Sequence, residues 1–497
     1  MLTLAILLPL LASAFLALAP RMGEKAARRF ATVVAILPLV LLVAVWTRFD
    51  ASGGAPVFQS VAGVPWIPAL GVSWRVGVDG ISLSIALMSA LLFLAAIAWP
   101  ADTLVRARRY YAWFLFLEGA SLGLLLTLDL LVFYVFFDLS LVGMYFLVGR
   151  WGHGDAQAAA LKFFVYTLAG SLALLLAILG LVLASDPLTF DMRELIARRP
   201  RDGADLAATL VLAGFMLGFA IKTPLVPFHT WLPPAHVDAP GPASAILAGV
   251  LLKMGTYGMV RIPLSMMPET FARHSLLIGV IALVSILWGA LVAFAQPNLK
   301  RRIAYTSVNH MGYTVLGIAA AGALAAESAG SARQLALTGA VTEMIAHGLI
   351  TGSLFLIAGG FWRRTQDYEI GHYGGLAAIA PRLTGTMILA SFASLGLPAL
   401  AGFVAEFQIF AGTFSVYPWL AAIALSGILI TAALFLSMIQ QIFFGALPKR
   451  RAAFPDLDRS ETAILGALLA LVVLIGLYPR WLLDLVNAGA SAIVGAR

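Results

Sequence analysis

The 497-residue sequence contains no cysteine. This absence excludes cysteine-ligated iron–sulfur clusters, disulfides and thiol chemistry, so any redox reaction would need a partner subunit. Charged residues make up 11% of the chain, less than half of the ~25% usual in a soluble domain. Hydrophobic residues make up 61%, and the net charge of +8 is spread over short clusters between apolar runs. This pattern is typical of a polytopic membrane protein and not of a nucleic-acid-binding protein.

Fourteen apolar runs approach the roughly 20 residues needed to span a bilayer as a helix. The first run has no basic residue before it and a basic cluster after it, the reverse of a cleavable signal peptide, so we expect it to be retained. The chain is therefore predicted to be a single all-α membrane domain over residues 1–497. The runs cover residues 2–19, 30–47, 78–99, 111–128, 129–149, 158–184, 206–231, 243–262, 275–296, 303–323, 333–361, 383–413, 417–445 and 461–483.

The basic clusters predict the orientation of the chain. Most of them fall on alternate loops, which the positive-inside rule assigns to the cytoplasm, leaving both termini outside. The loop 186–205 disagrees, but it also carries five acids, so we interpret it as a mixed-charge surface helix. The cytoplasmic clusters are Arg21, Lys25, Arg28 and Arg29; Arg106, Arg108 and Arg109; Arg150 and Lys162; Lys300, Arg301 and Arg302; Arg363, Arg364 and Arg382; and Lys449, Arg450, Arg451 and Arg459.

Proline interrupts two of the runs. Pro224 and Pro227 lie in the seventh run and Pro398 in the twelfth, where each withholds a backbone N–H from the preceding turn. Freed carbonyls are tolerated at membrane depth only where protein or water satisfies them. Broken helices spaced five spans apart are typical of transporters built from inverted repeats.

Two lysines lie inside apolar runs, Lys222 beside the first break and Lys253 in the middle of the eighth run. A charge at mid-bilayer costs roughly 2.5–3.5 kcal/mol on insertion scales, so an intramembrane lysine is a functional hypothesis by default. The alternative is that each lysine extends to the membrane surface. Lys253 has a long apolar stretch on each side, which disfavours that alternative.

Two acids share this depth. Asp138 lies about 13 Å into the fifth run at 1.5 Å per residue, and Lys222 is its natural partner. The alternative for Asp138 is a protonated carboxyl bonded to backbone. Glu406 lies just beyond the second break, where it acts either as a terminal proton site or as a bridge across broken backbone.

His310 and His347 also lie within runs, and Glu343 is one turn before His347 on the same helix face. Histidine titrates near neutrality and can pass protons, although packing roles and haem ligation are alternatives. His229 and His236 flank the proline-rich loop and either guard a proton entrance or shape the turn; for His236 we favour shape. No metal-ligand spacing, phosphate-binding glycines or serine nucleophile is present, so proton transfer along a polar line is the predicted chemistry.

Several segments resemble one family. AIKTPLVPFHTWLPPAH, LAGVLLKMGTYG, LKRRIAYTSVNHMGY, MIAHGLITGSLF and LKFFVYTLAGS are similar to the antiporter-like subunits of proton-pumping NADH:quinone oxidoreductase, respiratory complex I. The resemblance covers essentially the whole chain. LLKMGTYG and the chain length favour the M-type subunit, chain 4 in mitochondrial naming. The related D-type subunit of Mrp cation/proton antiporters is the alternative.

The resemblance implies a fold of about fourteen transmembrane helices with two inverted five-helix repeats and two broken helices. It places N-terminal helices at 1–110, the repeats at 111–262 and 275–445, and the last helix at 446–497. It implies a proton relay through Asp138, Lys222, Lys253, His310, His347 and Glu406, driven by quinone reduction elsewhere.

It also implies that this chain holds no cofactor, and that NADH, FMN, iron–sulfur clusters and quinone belong to partner subunits. The implied partners are the L-type and N-type antiporter-like subunits on either side, within a bacterial inner membrane.

The sequence departs from the family pattern at four positions. Asp138 is one methylene shorter than the usual glutamate, so contact with Lys222 would need about an ångström of backbone shift or a bridging water. Pro234 replaces an acid in the usual WLPDAH, and Asn298 stands in the usual Gln-x-Asp before LKR. Glu343 stands where glutamine is expected, which adds a titratable group beside His347.

Overall fold

A computed structural model describes residues 1–18, 22–52, 54–100, 105–324 and 329–495. Arg21 of the first basic cluster lies outside these residues. The described chain is predominantly helical, and every predicted apolar run coincides with a helix or a broken helix. The helices are α1 Leu2–Leu18, α2 Glu24–Trp46, α3 Gly80–Ala98, α4 Ala107–Leu126, α5 Leu130–Trp151, α6 Ala156–Val182, α7 Met192–Arg198, α8 Leu206–Lys222, α9 Leu232–Asp238, α10 Gly241–Ile246, α11 Leu252–Met259, α12 Pro268–Phe294, α13 Leu299–Ala321, α14 Gly330–Thr365, α15 Pro381–Ser394, α16 Ala401–Val416, α17 Pro418–Phe443, α18 Arg459–Leu477 and α19 Arg480–Gly495.

The chain is a multi-pass integral membrane protein. Within the described ranges, nine helical segments are long and apolar enough to cross a membrane, and three shorter apolar helices are α1, α8 and α16. The count of fourteen spans stays a prediction. Helix α10, two π-helical segments and α11 form one continuous buried segment, Gly241–Leu264.

Helix packing follows the same order twice. Helix α4 packs on α5, α5 on α6 and α6 on α8; likewise α12 packs on α13, α13 on α14 and α14 on α16. The last member of each series is half of a broken helix. Helix α8 is the first half of one and ends at Lys222; α16 is the second half of the other, whose first half, α15, ends at Ser394. This order is what two five-helix repeats would produce, although their inverted relation stays a prediction.

A two-stranded antiparallel hairpin precedes α3, which the all-α prediction did not include. Strand β1, Gln59–Ile67, pairs with β2, Val72–Val78, across a turn at Gly71, whose φ of 70° favours glycine. The segment was missed because it is short and lies between two long apolar runs. The hairpin leads directly into Asp79, the N-cap of α3.

Asp79 and Arg261 form a buried ion pair that ties the hairpin end to the segment after α11. The Arg261 guanidinium donates to Asp79 at 2.6 Å and to the Tyr257 hydroxyl at 3.2 Å. Both charged side chains are almost completely buried, and Asp79 also caps α3 in a capping box.

Replacing Asp79 with alanine is expected to destabilise the chain by about 3–5 kcal/mol, because Arg261 would remain buried without its counter-charge. Thermal unfolding of the purified protein measures this effect. The control is Asp484→Ala in the exposed pair with Arg480, where about 1 kcal/mol or less is expected. Equal effects of the two substitutions would contradict the assignment.

The chain's C-terminal part differs from the prediction. The last span was predicted to run to residue 483, but α18 ends at Leu477, before Pro479, and α19 begins at Arg480. Helix α19 packs on α3 and α14, and Gly80 lies so close to the Leu485 carbonyl that a side chain there would collide with it. Proline cannot continue the α18 hydrogen-bond ladder, which explains the new helix.

Two of the basic residues assigned to a cytoplasmic loop, Lys300 and Arg302, are buried and lie in the first turn of α13, so they are not loop residues; the side of the membrane on which they lie stays a prediction. The Lys300 ammonium donates to the Ala239 carbonyl, where α9 meets α10, and Arg302 donates to the Gln296 carbonyl at 2.9 Å.

Burial, reinforced by the Lys300 charge, lowers the pKa of His153 to about 3. His153 is therefore neutral at physiological pH, and it stacks on Trp362 with ring centroids 3.8 Å apart.

The predicted surface helix in the loop 186–205 is present as α7, which covers seven residues. Asp191 caps it and is buried between two arginines, Arg75 at 3.0 Å and Arg193 at 2.8 Å. The mixed charge of this loop is therefore partly neutralised within the fold.

Candidate functional site

The first helix break places Lys222 at the end of α8. Pro224 cannot bond the Ala220 carbonyl, which instead accepts from the Leu225 amide at 2.8 Å. The Ile221 carbonyl accepts from the Trp231 indole at 2.9 Å. Because these substitutes satisfy the freed backbone, the break is stable at membrane depth.

Lys222 is 1% exposed and bonds to α5. Its ammonium donates to the Ser140 hydroxyl at 3.0 Å and lies 4.9 Å from the centre of the Phe137 ring. Ser140 in turn donates to the Phe137 carbonyl at 2.6 Å, so its lone pairs face the lysine. No sequence pattern singled out Ser140.

Asp138 makes no direct contact with Lys222, so the direct form of the predicted pair is not observed. It lies within electrostatic range of the lysine, but one carboxylate oxygen is buried without a hydrogen-bond partner among the described residues. Ser140 makes the direct contact with Lys222, and Asp138, one methylene shorter than the glutamate usual in the family, stays beyond ion-pair distance.

Lys253 lies at the centre of the second cluster and is completely buried. It follows the π-helical segment Leu247–Leu251. Its ammonium donates to the Ala248 carbonyl at 2.6 Å and lies 2.6 Å from Nδ1 of His347. π-Helical turns within α-helices are frequent at functional sites.

His310 joins Lys253 and His347 to two carboxylates. The rings of His310 and His347 are 5.4 Å apart between centroids. Nδ1 of His310 lies 3.4 Å from Glu343 and 3.6 Å from Glu406, and all of these side chains are buried. Glu343, which the sequence suggested only as an accessory group, thus lies about as close to His310 as Glu406 does.

The second break positions this acidic end. Ser394, the last residue of α15, bonds Nε2 of His310 at 3.1 Å. Gly396 has a φ of 76°, and any side chain there would collide with the Glu406 carboxylate. Glycine is therefore required both for the backbone conformation and for the space that Glu406 occupies.

The two accessory histidines lie outside this line of contacts. His229 packs its ring 6.1 Å from that of Tyr305. His236 is completely buried and stacks on Phe355 at 4.3 Å, and its carbonyl accepts from Ser244. Both ring nitrogens of His236 are buried without a hydrogen-bond partner in the described structure, and its role in shaping the turn stays a prediction.

The cluster has the groups needed to move a proton. Lys253, His347, His310 and the two acids can each carry an exchangeable proton, and successive members lie close to one another. One nitrogen of each imidazole is engaged, since Nδ1 of His347 faces Lys253 and Nε2 of His310 bonds Ser394. The other nitrogens, Nε2 of His347 and Nδ1 of His310, are buried without a hydrogen-bond partner in the described structure.

A family profile described as "NADH:quinone oxidoreductase/Mrp antiporter, TM" matches residues 127–431, more than half of the chain. The chain belongs to this family. The matched region of this NADH:quinone oxidoreductase/Mrp antiporter protein contains both helix breaks and every residue of the predicted relay, from Asp138 to Glu406.

Similar proteins of this family cover nearly the whole chain. "NAD(P)H-quinone oxidoreductase chain 4 2" of Synechococcus elongatus is 36% identical over 494 residues, which cover 96% of this chain and 89% of that protein. A chain in the structure of respiratory complex I from Thermus thermophilus with bound NADH is 33% identical, with a TM-score of 0.88 over 100% of this chain and 99% of that one. A chain of the Mrp complex from a Dietzia species is 22% identical, with a TM-score of 0.87 over 99% of this chain and 97% of that one, and shares the fold.

Sequence reasoning missed three polar residues of this family member. Ser140 and Ser394 touch the site, but a serine within an apolar run is common and gave no signal. Glu118 lies in the fourth apolar run and is completely buried, with neither carboxylate oxygen bonded within the described chain. An acid inside an apolar run was a usable signal, since such residues are functional hypotheses by default.

Proposed function

We propose that this chain is a proton-translocating membrane-arm subunit of a complex I-type NAD(P)H:quinone oxidoreductase, in the M-type or chain 4 position. The observation that carries the proposal is the buried line of contacts from Lys253 through His347 and His310 to Glu406. The similarity to proteins named chain 4, over nearly the full length, supports this choice.

The geometry suggests the order of proton steps. Lys253 donates a proton to Nδ1 of His347, the nitrogen 2.6 Å away. Protonated His347 releases the proton from its other nitrogen toward His310. His310 then delivers it from Nδ1 to Glu406 or Glu343. After this release His347 carries its remaining proton on Nδ1, so the ring must return to the Nε2–H tautomer, by ring rotation or by proton exchange, before Lys253 can load it again.

Lys222 reloads Lys253 in this scheme. Helices α8 and α11 pack closely, since a side chain at Gly255 would meet Thr223 beside Lys222. No direct bond joins the two lysines in the described structure, so the transfer passes through bridging water. Asp138 acts on Lys222 through its negative charge, without a direct contact, and stabilises the protonated lysine.

The energy for the cycle comes from quinone reduction in partner subunits, which hold the NADH site, FMN, iron–sulfur clusters and quinone. We place antiporter-like subunits of the L and N types on either side of this chain. The membrane is the bacterial inner membrane, with both chain termini on its outer side.

The test is proton uptake by vesicles containing the purified complex, with and without this chain. Proton uptake that depends on NAD(P)H and quinone, and that falls when this chain is absent, is expected. Sodium-dependent proton exchange without NAD(P)H would instead indicate the alternative, the D-type subunit of an Mrp cation/proton antiporter. Unchanged uptake without the chain would indicate a purely structural subunit.

Replacing Ser140 with alanine is expected to lower proton pumping about tenfold. The substitution removes the hydroxyl that holds Lys222, and a hydrogen bond to a charged group contributes about 1.5–3 kcal/mol. The measurement is protons translocated per NAD(P)H oxidised by the complex in vesicles.

Asp138→Glu should restore pumping in the Ser140→Ala variant, because the longer carboxylate reaches Lys222. Ser140→Thr is the control, since it keeps the hydroxyl. Wild-type pumping by the Ser140→Ala variant would refute the positioning role of Ser140.

A further inference from the structure

A groove on the surface of the helix bundle lies between α1, α4, α5 and α6. It encloses about 1240 Å³ and is open along one side. None of the relay residues lines it, so it is separate from the proposed proton line.

Three arginines form one end of the groove. Arg106 and Arg109 lie at the start of α4 and Arg150 at the end of α5, and all three line the groove. None has a carboxylate within ion-pair distance in the described structure, and none of the described lining residues is acidic. Glu24 lines an adjoining pocket with Arg106 and Arg109 but is not within ion-pair distance of them, so the rim keeps a net positive charge that can hold an anion.

The walls of the groove are apolar and aromatic. Trp113 stacks on Phe146 with ring centroids 4.5 Å apart, and Phe116, Val142 and Leu161 continue the surface. An occupant of this part must be apolar.

Two polar groups of the walls are already paired within the protein. Ser13 donates to the Ala112 carbonyl at 2.7 Å, and the Trp151 indole donates to the Val105 carbonyl at 2.8 Å. These wall groups therefore offer no unsatisfied donor to a polar occupant.

The groove has the depth of part of one leaflet. Phe116 lies two turns beyond Arg109 on α4, roughly 10 Å along the helix axis. Half of a bilayer hydrocarbon core is about 15 Å thick. A ligand with its head at the arginines would therefore place its apolar part within that leaflet.

We propose that this groove binds an anionic phospholipid, with its phosphate at Arg106, Arg109 and Arg150 and an acyl chain along Trp113 and Phe146. The charge of the rim selects an anionic headgroup, because a zwitterionic lipid would bring its own cation to the arginines. Basic pockets between transmembrane helices on the cytoplasmic side commonly hold such headgroups, and the positive-inside rule places this rim there.

The test compares complexes containing Arg109→Gln/Arg150→Gln with wild type for bound phosphatidylglycerol, measured by native mass spectrometry in mixed phosphatidylglycerol and phosphatidylcholine. Each basic residue contributes about fivefold to anionic lipid affinity, so roughly 25-fold weaker retention is expected. The charge-matched control is Lys449→Gln/Arg450→Gln, which removes two exposed charges from the same predicted side, and no loss is expected there.

A second variant tests the apolar wall while keeping the charges. Ala14→Trp fills the groove beside α1 and should displace the lipid as strongly. Equal retention in all variants, or equal retention of the two lipids, would overturn the proposal. Loss of a neighbouring subunit in place of lipid would overturn it in favour of a protein occupant. None of these outcomes depends on whether the chain pumps protons.

Discussion

Lys253→Met is expected to stop proton translocation through this chain while the complex still assembles. Methionine matches the length of lysine but carries no proton, and the loss of a proton-transferring group typically costs about 10²–10⁴-fold in rate. Lys253 contacts both the π-helical carbonyl of Ala248 and the imidazole of His347. Proton uptake per NAD(P)H oxidised, measured in vesicles, reports the effect.

Lys253→Arg separates proton transfer from charge. Arginine keeps the positive charge but cannot release its proton, so this variant should also fail to pump. Lys162→Met is the control, because Lys162 is exposed on α6. Normal pumping by Lys253→Arg would show that Lys253 only supplies a charge, and normal pumping by Lys253→Met would remove it from the path.

Glu343→Gln/Glu406→Gln is expected to abolish pumping, whereas each single substitution retains part of it. Nδ1 of His310 lies at nearly the same distance from the two carboxylates, 3.4 and 3.6 Å. Either acid can therefore accept the proton from His310, and only the double variant leaves it without an acceptor. The measurement is again proton uptake per NAD(P)H oxidised, with a fall of about 10²-fold or more for the double variant.

The comparison of single variants decides the role of Glu343. If Glu343 is a second acceptor, Glu406→Gln alone should retain more pumping than Glu406→Gln combined with Glu343→Gln. If the two give the same result, Glu343 is a bystander and Glu406 is the sole terminal acid. Glu194→Gln/Glu269→Gln, which changes two exposed acids, controls for the loss of two carboxylates.

Hydropathy predicted the helices well because a bilayer leaves a chain few choices. Every spanning segment must satisfy its own backbone, so a long apolar run becomes a helix. Proline removes a donor at a known position, which located both breaks. The lysines, acids and histidines of the proposed relay were singled out because a polar group inside an apolar run is costly and rare.

The same reasoning failed where contacts with distant segments of the chain decide whether a residue is buried and which residue it bonds. Lys300 was assigned to a loop by its place in a basic cluster, yet the fold buries it against the α9–α10 junction. Helix α19 and the β1–β2 hairpin were missed because neither is a membrane-spanning run. The direct partner of Lys222 also escaped prediction, since Ser140 and not Asp138 lies within hydrogen-bond distance of its ammonium.

The order of residues was enough to establish the helical membrane fold, the two breaks and several of the buried ionisable residues near them, because the energetic cost of burying charge and backbone in lipid applies to each segment separately. The packing of the helices was needed to establish that Ser140, and not Asp138, contacts Lys222, and that Glu343 shares His310 with Glu406. Those contacts depend on which helix faces meet, and differences of one methylene or one-third of a helical turn change the partner.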